Sequence, residues 1–216
     1  MLVVQCDFDD TITVGNVSTA VREAFASEEW VSMDEEYHSG KYSVEESNIR
    51  QYKLITASLE DIQDFVLSTV MLRPAFDEFV AYCNGVGIRL AIVSSGLDIY
   101  ISPILKQLEL DIEVFAGKAI VNLNGVDVEY TDPSGAVITQ GFKSSYVRHF
   151  KSQGHTVVYI GDGLSDIAPA QEADFVVARD TLQAHFEEAG LKSVSFLTFD
   201  DVGKAVEEVR KSMGAS

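Results

Sequence analysis

The fold turns on Val3-Val4-Gln5-Cys6-Asp7-Phe8-Asp9-Asp10-Thr11-Ile12-Thr13. A short, mostly apolar run of β-formers ends abruptly in Asp7-x-Asp9-x-Thr11. If Val3 to Cys6 form a buried central strand, the chain leaves the sheet at its carboxyl end, where open α/β sheets place their ligands. Three carboxylates within four positions (Asp7, Asp9 and Asp10) repel one another unless a cation holds them. Short acidic side chains and backbone carbonyls suit Mg²⁺, which keeps several waters and commonly meets phosphate oxygens. One carboxylate is then free to attack phosphorus, as in enzymes that form an aspartyl-phosphate. An acidic turn after an edge strand accounts for this stretch equally well, so the rest of the chain has to decide.

The 216 residues, 46% hydrophobic and 23% charged, are ordinary for a globular chain with a sizeable core. A formal charge of -18 argues against binding to nucleic acid or to an anionic membrane surface, which call for clustered Lys and Arg. It does not argue against a small anionic substrate, since a metal and one lysine reverse the local sign. Cys6 and Cys83 lie in apolar segments without metal or redox spacing, and are expected to be buried and reduced. No apolar stretch reaches the ~20 residues that span a bilayer. With no basic leader before Leu2, the expected location is cytoplasmic.

Downstream the texture becomes helical. Asn16 is a candidate N-cap before Val17, Val21 and Phe25, and a second helix covers Glu28 to Tyr37. Ser43-Val44-Glu45-Glu46 and Ser58-Leu59-Glu60-Asp61 are capping boxes that open two more helices. Four helices in a row exceed one crossover connection. Residues 14–73 are therefore read as an inserted helical subdomain, with 1–13 and 74–216 forming the core. Within that core, Arg89 to Val93, Ile112 to Phe115, Thr156 to Ile160, Phe175 to Ala178 and Ser193 to Leu197 read as strands alternating with helices. Ala119 to Leu123 and Val126 to Tyr130 flank Asn124-Gly125, a strong hairpin signal. The expected fold class is α/β, a Rossmann-like three-layer, mostly parallel sheet with helices on both faces.

The polar motifs fall where such strands end. Asp7 is the candidate nucleophile, with Mg²⁺ held by Asp7, Asp9 (through its carbonyl) and Asp162, and with Asp166 as a further ligand or as support for Lys143. Asp9 would protonate the leaving oxygen and later activate water, with Thr11 bracing the loop by bonding Asp9. Ser94-Ser95-Gly96 offers a hydroxyl and N–H groups for phosphate oxygens, or is an ordinary strand-to-helix turn. Lys143 stands at a predicted helix start, where a cation opposes the macrodipole, so a charge partnership with Asp7 competes with a purely structural role. In the inserted helices Trp30 and Tyr37 are packing or substrate residues, and Arg50 is the first candidate for substrate binding. The histidines His38, His149, His155 and His185 show no mutual metal spacing.

Taken in order, Asp-Phe-Asp-Asp-Thr, Val-Ser-Ser-Gly, Lys143 and Gly-Asp-Gly-x-Ser-Asp resemble the four motifs of the haloacid dehalogenase-like phosphatases. The resemblance covers nearly the whole chain. It implies a Mg²⁺-dependent phosphatase acting on a small-molecule phosphate ester. The helical insert is similar to the cap of the phosphoserine-phosphatase-like branch, and the Asn124-Gly125 hairpin to its flap. Glu29-Trp30, Phe79-Val80-Ala81 and Ala178-Arg179-Asp180 resemble the subfamily of methionine-salvage phosphatases, which act on 2-hydroxy-3-keto-5-methylthiopentenyl-1-phosphate. Two departures stand out. A cysteine-rich segment found in some of those enzymes is replaced by Asp132 to Phe142, and Val14-Gly15-Asn16-Val17 stands where phosphoserine phosphatases carry the acidic residues that recognise an amino group. Two other readings share these residues: a phosphotransferase to an alcohol acceptor, and a non-catalytic binding protein on the same fold. The oligomeric state, monomer or homodimer, is open.

Overall fold

The computed structural model of the chain describes residues 1–214. The expected buried strand is β1 (Leu2–Cys6), and it lies at the centre of an eight-stranded sheet. The other strands are β2 (Arg89–Leu97), β3 (Glu113–Asn122), β4 (Gly125–Thr131), β5 (Val137–Ile138), β6 (Thr156–Gly161), β7 (Phe175–Ala178) and β8 (Val194–Ser195). Their spatial order is β5-β4-β3-β2-β1-β6-β7-β8, parallel from β3 to β8 and antiparallel where β4 meets β3 and β5. The chain passes from β1 to one side through β2 and returns to the other side at β6. The carboxyl end of β1 is thus the point where strand order reverses, the crevice that parallel sheets use for ligands.

Period-two alternation sorts the core into two layers. Leu2, Val4 and Cys6 pack in one cluster with α5 (Phe76–Val86), α6 (Asp98–Gln107) and α10 (Phe199–Ser212). Val3, Val157 and Tyr159 pack in the other with α7 (Phe142–Ser152), α8 (Ile167–Glu172) and α9 (Asp180–Glu188). The fold class read from the sequence is thus the one observed. No helix among the described residues is long and apolar enough to cross a membrane.

Between β1 and α5 lie α1 (Val17–Phe25), α2 (Glu29–His38), α3 (Val44–Tyr52) and α4 (Leu59–Thr69). Asn16 caps α1 by accepting from Thr19 N at 2.9 Å, and both capping boxes form, at Ser43/Glu46 and Ser58/Asp61. Val17, Val21, Tyr52, Ile55, Ile62 and Val66 continue the first core cluster, so these helices share apolar packing with the sheet. The two connections to them run side by side: Val14 N donates to Met71 O at 2.8 Å and Arg73 N to Ile12 O at 2.7 Å. Buried Arg73 fastens this junction with guanidinium bonds to the carbonyls of Asp10 (2.6 Å), Thr11 (2.8 Å) and Thr13 (3.2 Å).

Three boundaries differ from expectation. Strand β2 does not stop at Val93 but runs through Ser94, Ser95 and Gly96 to Leu97, because its register with β3 breaks and resumes at Leu97↔Gly117. The two runs around Phe115 and Ala119 are one strand, β3. The hairpin turns at Leu123-Asn124, one residue early, with Asn122 paired to Gly125. Gly125 serves another purpose there: at φ +114° it lies so close to the Lys53 carbonyl that a Cβ would sit 2.1 Å from its oxygen.

Candidate active site

Asp7 is the first residue beyond β1, its N–H held by Ile160 O at 2.9 Å. Lys143, on the first turn of α7, reaches it from the helix layer that packs on the Val3 and Gln5 face of β1. Its ammonium lies 2.8 Å from Asp7 Oδ1, 2.7 Å from Asp166 Oδ1 and 3.2 Å from Ser165 Oγ, which fills its three donors. Both the lysine and Asp166 are buried, and Gln5 Nε2 fixes the Lys143 carbonyl at 2.9 Å. The apparent misfit of a cation at a helix start is explained by these carboxylates.

Asp166 is saturated. Its Oδ1 accepts from Lys143 and from Tyr159 OH (2.5 Å), and its Oδ2 from the N–H groups of Asp162 (3.0 Å) and Gly163 (2.9 Å). Gly161 makes room for this arrangement, since a Cβ there would meet Asp166 Cγ at 2.6 Å. Asp162 Oδ1 accepts the Thr11 hydroxyl at 2.7 Å. Carboxylate oxygens of Asp7, Asp162 and Asp166 lie within 4.8 Å of one another. Among the described residues, Asp162 Oδ2 carries no hydrogen bond and Asp7 Oδ1 accepts only from Lys143, so this oxygen-only set has open positions for a hard divalent cation and still leaves Asp7 Oδ2 free.

Asp9 turns the other way, toward α1. Its Oδ1 accepts from Val17 N (3.1 Å) and its Oδ2 from Ser18 Oγ (2.7 Å) and Tyr100 OH (3.3 Å). Gly96 leaves the space this needs: a Cβ would meet Tyr100 OH at 2.3 Å and Asp9 Oδ2 at 3.0 Å. Ser94 Oγ accepts Gly96 N at 3.0 Å, so its own O–H is left to donate. Asp7, Asp9, Ser94, Gly96, Lys143 and Asp162 face a cavity of about 370 Å³ whose far wall is formed by Ser18, Arg22, Tyr37 and Asn48.

Burial sets the electrostatics. It pushes Asp7 up to about 7, with Asp166 adding to the effect and Lys143 opposing it. It pushes Asp162 up to about 9, helped by Asp166 and Asp7. Burial also raises Asp9, against the hydrogen bonds from Ser18 and Val17. For Asp166 burial is outweighed by Lys143 and by its hydrogen bonds, which hold it below the ordinary carboxylate range. For Lys143 burial is outweighed by Asp166 and Asp7, which hold it well above the ordinary value.

The structure thus gathers Asp7, Asp9, Ser94, Ser95, Gly96, Lys143 and Asp162 around one cavity, with Thr11 and Asp166 directly behind it. Some donors are placed differently from the sequence reading. Thr11 braces Asp162 rather than Asp9, and the Gly96 N–H is spent on Ser94 rather than left for phosphate. Arg50 is outside the cavity, stacked on Tyr42 at 4.2 Å. The inserted helices contribute Arg22 and Asn48 instead. Asn48 donates to Ser95 O at 2.8 Å, and nothing in the sequence pattern marked it. Periodicity alone could have put Ser18 and Arg22, four apart on α1, on one helical face.

The haloacid dehalogenase-like hydrolase family matches residues 4–171, and the chain belongs to that family. The phosphoric monoester hydrolases expected from the sequence are the class for which its relatives are named. One is the 2-hydroxy-3-keto-5-methylthiopentenyl-1-phosphate phosphatase of Brevibacillus brevis, 34% identical over 98% of both chains. The phosphatase of the same name from Geobacillus thermodenitrificans is 34% identical over 93% of each chain. Among solved structures, a phosphoserine phosphatase captured as a phospho-aspartyl intermediate analogue superimposes with a TM-score of 0.69. It is 21% identical, over 94% of this chain and 97% of that one, a likeness of fold.

Proposed function

We propose that the protein is a Mg²⁺-dependent phosphatase that hydrolyses a small-molecule phosphomonoester through an aspartyl-phosphate on Asp7. The observation that carries this reading is the pairing of Asp7 Oδ1 with Lys143 while Asp7 Oδ2 is left open toward the cavity. A nucleophile needs one oxygen oriented and one free.

Asp7, Asp162 and the Asp9 carbonyl are the groups we assign to the metal, and Asp166, with its lone pairs filled, we assign to holding Lys143. When bound, Mg²⁺ supplies positive charge that lets an anion approach a phosphate. The Ser94 hydroxyl then binds and orients the phosphoryl oxygens, while the Lys143 ammonium, its donors held by Asp7, Asp166 and Ser165, offsets their charge from beside the nucleophile. Asp7 Oδ2 attacks phosphorus as the ester P–O bond breaks. Asp9, whose burial favours the protonated form, gives its proton to the leaving oxygen and afterwards takes one from the water that cleaves the aspartyl-phosphate. Residues 14–73 are read as a cap that closes over this chemistry, hinged at the paired connections beside Arg73.

The relatives named above favour 2-hydroxy-3-keto-5-methylthiopentenyl-1-phosphate as substrate. Phosphoserine is disfavoured, because no acidic side chain stands between Val14 and Val17 and the Asn16 side chain is spent as the α1 cap. Phosphate release from a panel of phosphorylated metabolites, with Mg²⁺ or with EDTA, tests the proposal. Release that requires Mg²⁺ and disappears in Asp7→Asn supports it; metal-independent release, or an active Asp7→Asn protein, refutes it.

A further inference from the structure

Arg22 is a buried cation without a carboxylate partner. It is 5% exposed, and no ion pair involves it among the described residues. Its guanidinium lies between the rings of Trp30 (5.4 Å) and Tyr52 (5.7 Å), with two long hydrogen bonds, to Asn48 Oδ1 at 3.4 Å and to Thr19 Oγ1 at 3.2 Å. Nε has no partner. Of the five N–H donors of the fork, three are therefore unspent. A charge taken out of water in this condition is costly unless something completes it.

What it faces is the phosphatase cavity, which Arg22 lines together with Lys143. The lysine cannot serve a second anion, because Asp7, Asp166 and Ser165 fill its donors. Arg22 is a basic group on the cap side with donors left over, and aromatic stacking holds it in place. A planar fork in that state suits one or two oxygen acceptors in a bidentate contact.

We propose that Arg22 is the specificity residue of this site. It binds a carbonyl, enolate or carboxylate oxygen on the alcohol part of the substrate, so the substrate class is oxygen-bearing phosphate monoesters rather than plain alkyl phosphates. The inference rests on the phosphatase reading above. Asn48 is a positioning residue for it, because the same side chain that accepts from Arg22 donates to the Ser95 carbonyl behind the phosphate subsite.

The test compares kcat/KM for dihydroxyacetone phosphate (ketone), 2-phosphoglycolate (carboxylate) and ethyl phosphate (neither) in the wild type, Arg22→Met and Arg22→Lys, all with Mg²⁺. The wild type should prefer an oxygen-bearing ester over ethyl phosphate by about tenfold or more, the share of one charge-assisted hydrogen bond. A lead for 2-phosphoglycolate identifies an anionic partner, and a lead for dihydroxyacetone phosphate a carbonyl. In Arg22→Met the preference should collapse toward one, chiefly through KM. Arg22→Lys keeps the stem and the charge but loses the fork; it should lose most of the preference, and it carries the test alone if the Met variant does not fold. A preference that persists in the variants overturns the proposal, as does an equal loss on all three esters, which would place Arg22 on the phosphate or in the scaffold. A wild type inactive on all three and on the metabolite panel above would remove the phosphatase reading as well.

Discussion

Lys143 and Asp166 form an ion pair of 2.7 Å in which the lysine is 3% exposed and the aspartate not at all. Neither charge could sit there alone. The lysine is also the counter-charge of Asp7, so it joins the anchor of the site to the proposed nucleophile.

Lys143→Met should therefore cost stability as well as activity. It leaves two buried carboxylates unpaired, a change worth about 3–5 kcal/mol. Urea unfolding of the metal-free variant measures it, and a loss below about 1 kcal/mol would mean that the pair contributes little to the fold.

The pH dependence of stability has a defined sign. Asp7 and Asp162, pushed up to about 7 and about 9, bind more protons in the folded state than in the unfolded one. Metal-free stability should therefore be highest near the ordinary carboxylate value of about 4 and fall as pH rises through 7 toward 9. Asp166, held low, opposes this only below that range. Bound Mg²⁺ relieves the repulsion, so the Tm gained on adding it should be larger at pH 8 than at pH 5. Thermal melts in EDTA and in Mg²⁺ decide this; an equal gain at both pH values contradicts the assignment of Asp7 and Asp162 to the metal.

Thr11→Val removes the 2.7 Å hydrogen bond that orients Asp162 and leaves the size of the side chain almost unchanged. Loss of such an outer partner typically weakens metal affinity by ~10–100-fold. The Mg²⁺ concentration giving half-maximal activity should rise accordingly, and an unchanged value would separate Thr11 from the metal site.

Gly96→Ala places a methyl group against the Tyr100 hydroxyl and the Asp9 carboxylate, both of them buried. Overpacking of this kind costs about 1–3 kcal/mol. The displaced Asp9 should lower kcat more than it alters KM. Steady-state kinetics check this; a KM effect alone would place Gly96 in binding rather than in positioning the acid.

Much of this was legible in the chain. Strand β1 is a mostly apolar run up to Asp7, interrupted only by Gln5, and the Ser43 and Ser58 boxes are local chemistry that forms wherever the helix forms. The order of the four motifs identified the family because each motif sits at a strand end or helix start that local pattern can find. What stayed hidden depends on packing between distant elements. Gly125 reads as a turn residue, yet its lack of a side chain serves the Lys53 carbonyl brought to it from α3. Ser94 to Gly96 read as a loop, yet they extend β2. Arg22 and Arg50 look alike along the sequence, and only the way α1 and α3 meet the sheet turns one into the cavity and the other out onto Tyr42.

The central claim is that Asp7 becomes covalently phosphorylated. Rapid quenching of the Mg²⁺-loaded enzyme during turnover, followed by borohydride reduction and peptide mass spectrometry, reads this directly. A reduced aspartyl residue at position 7, absent without substrate and absent in Asp7→Asn, is the predicted result. Efficient turnover with no modification at Asp7, or with the label on another residue, would contradict it.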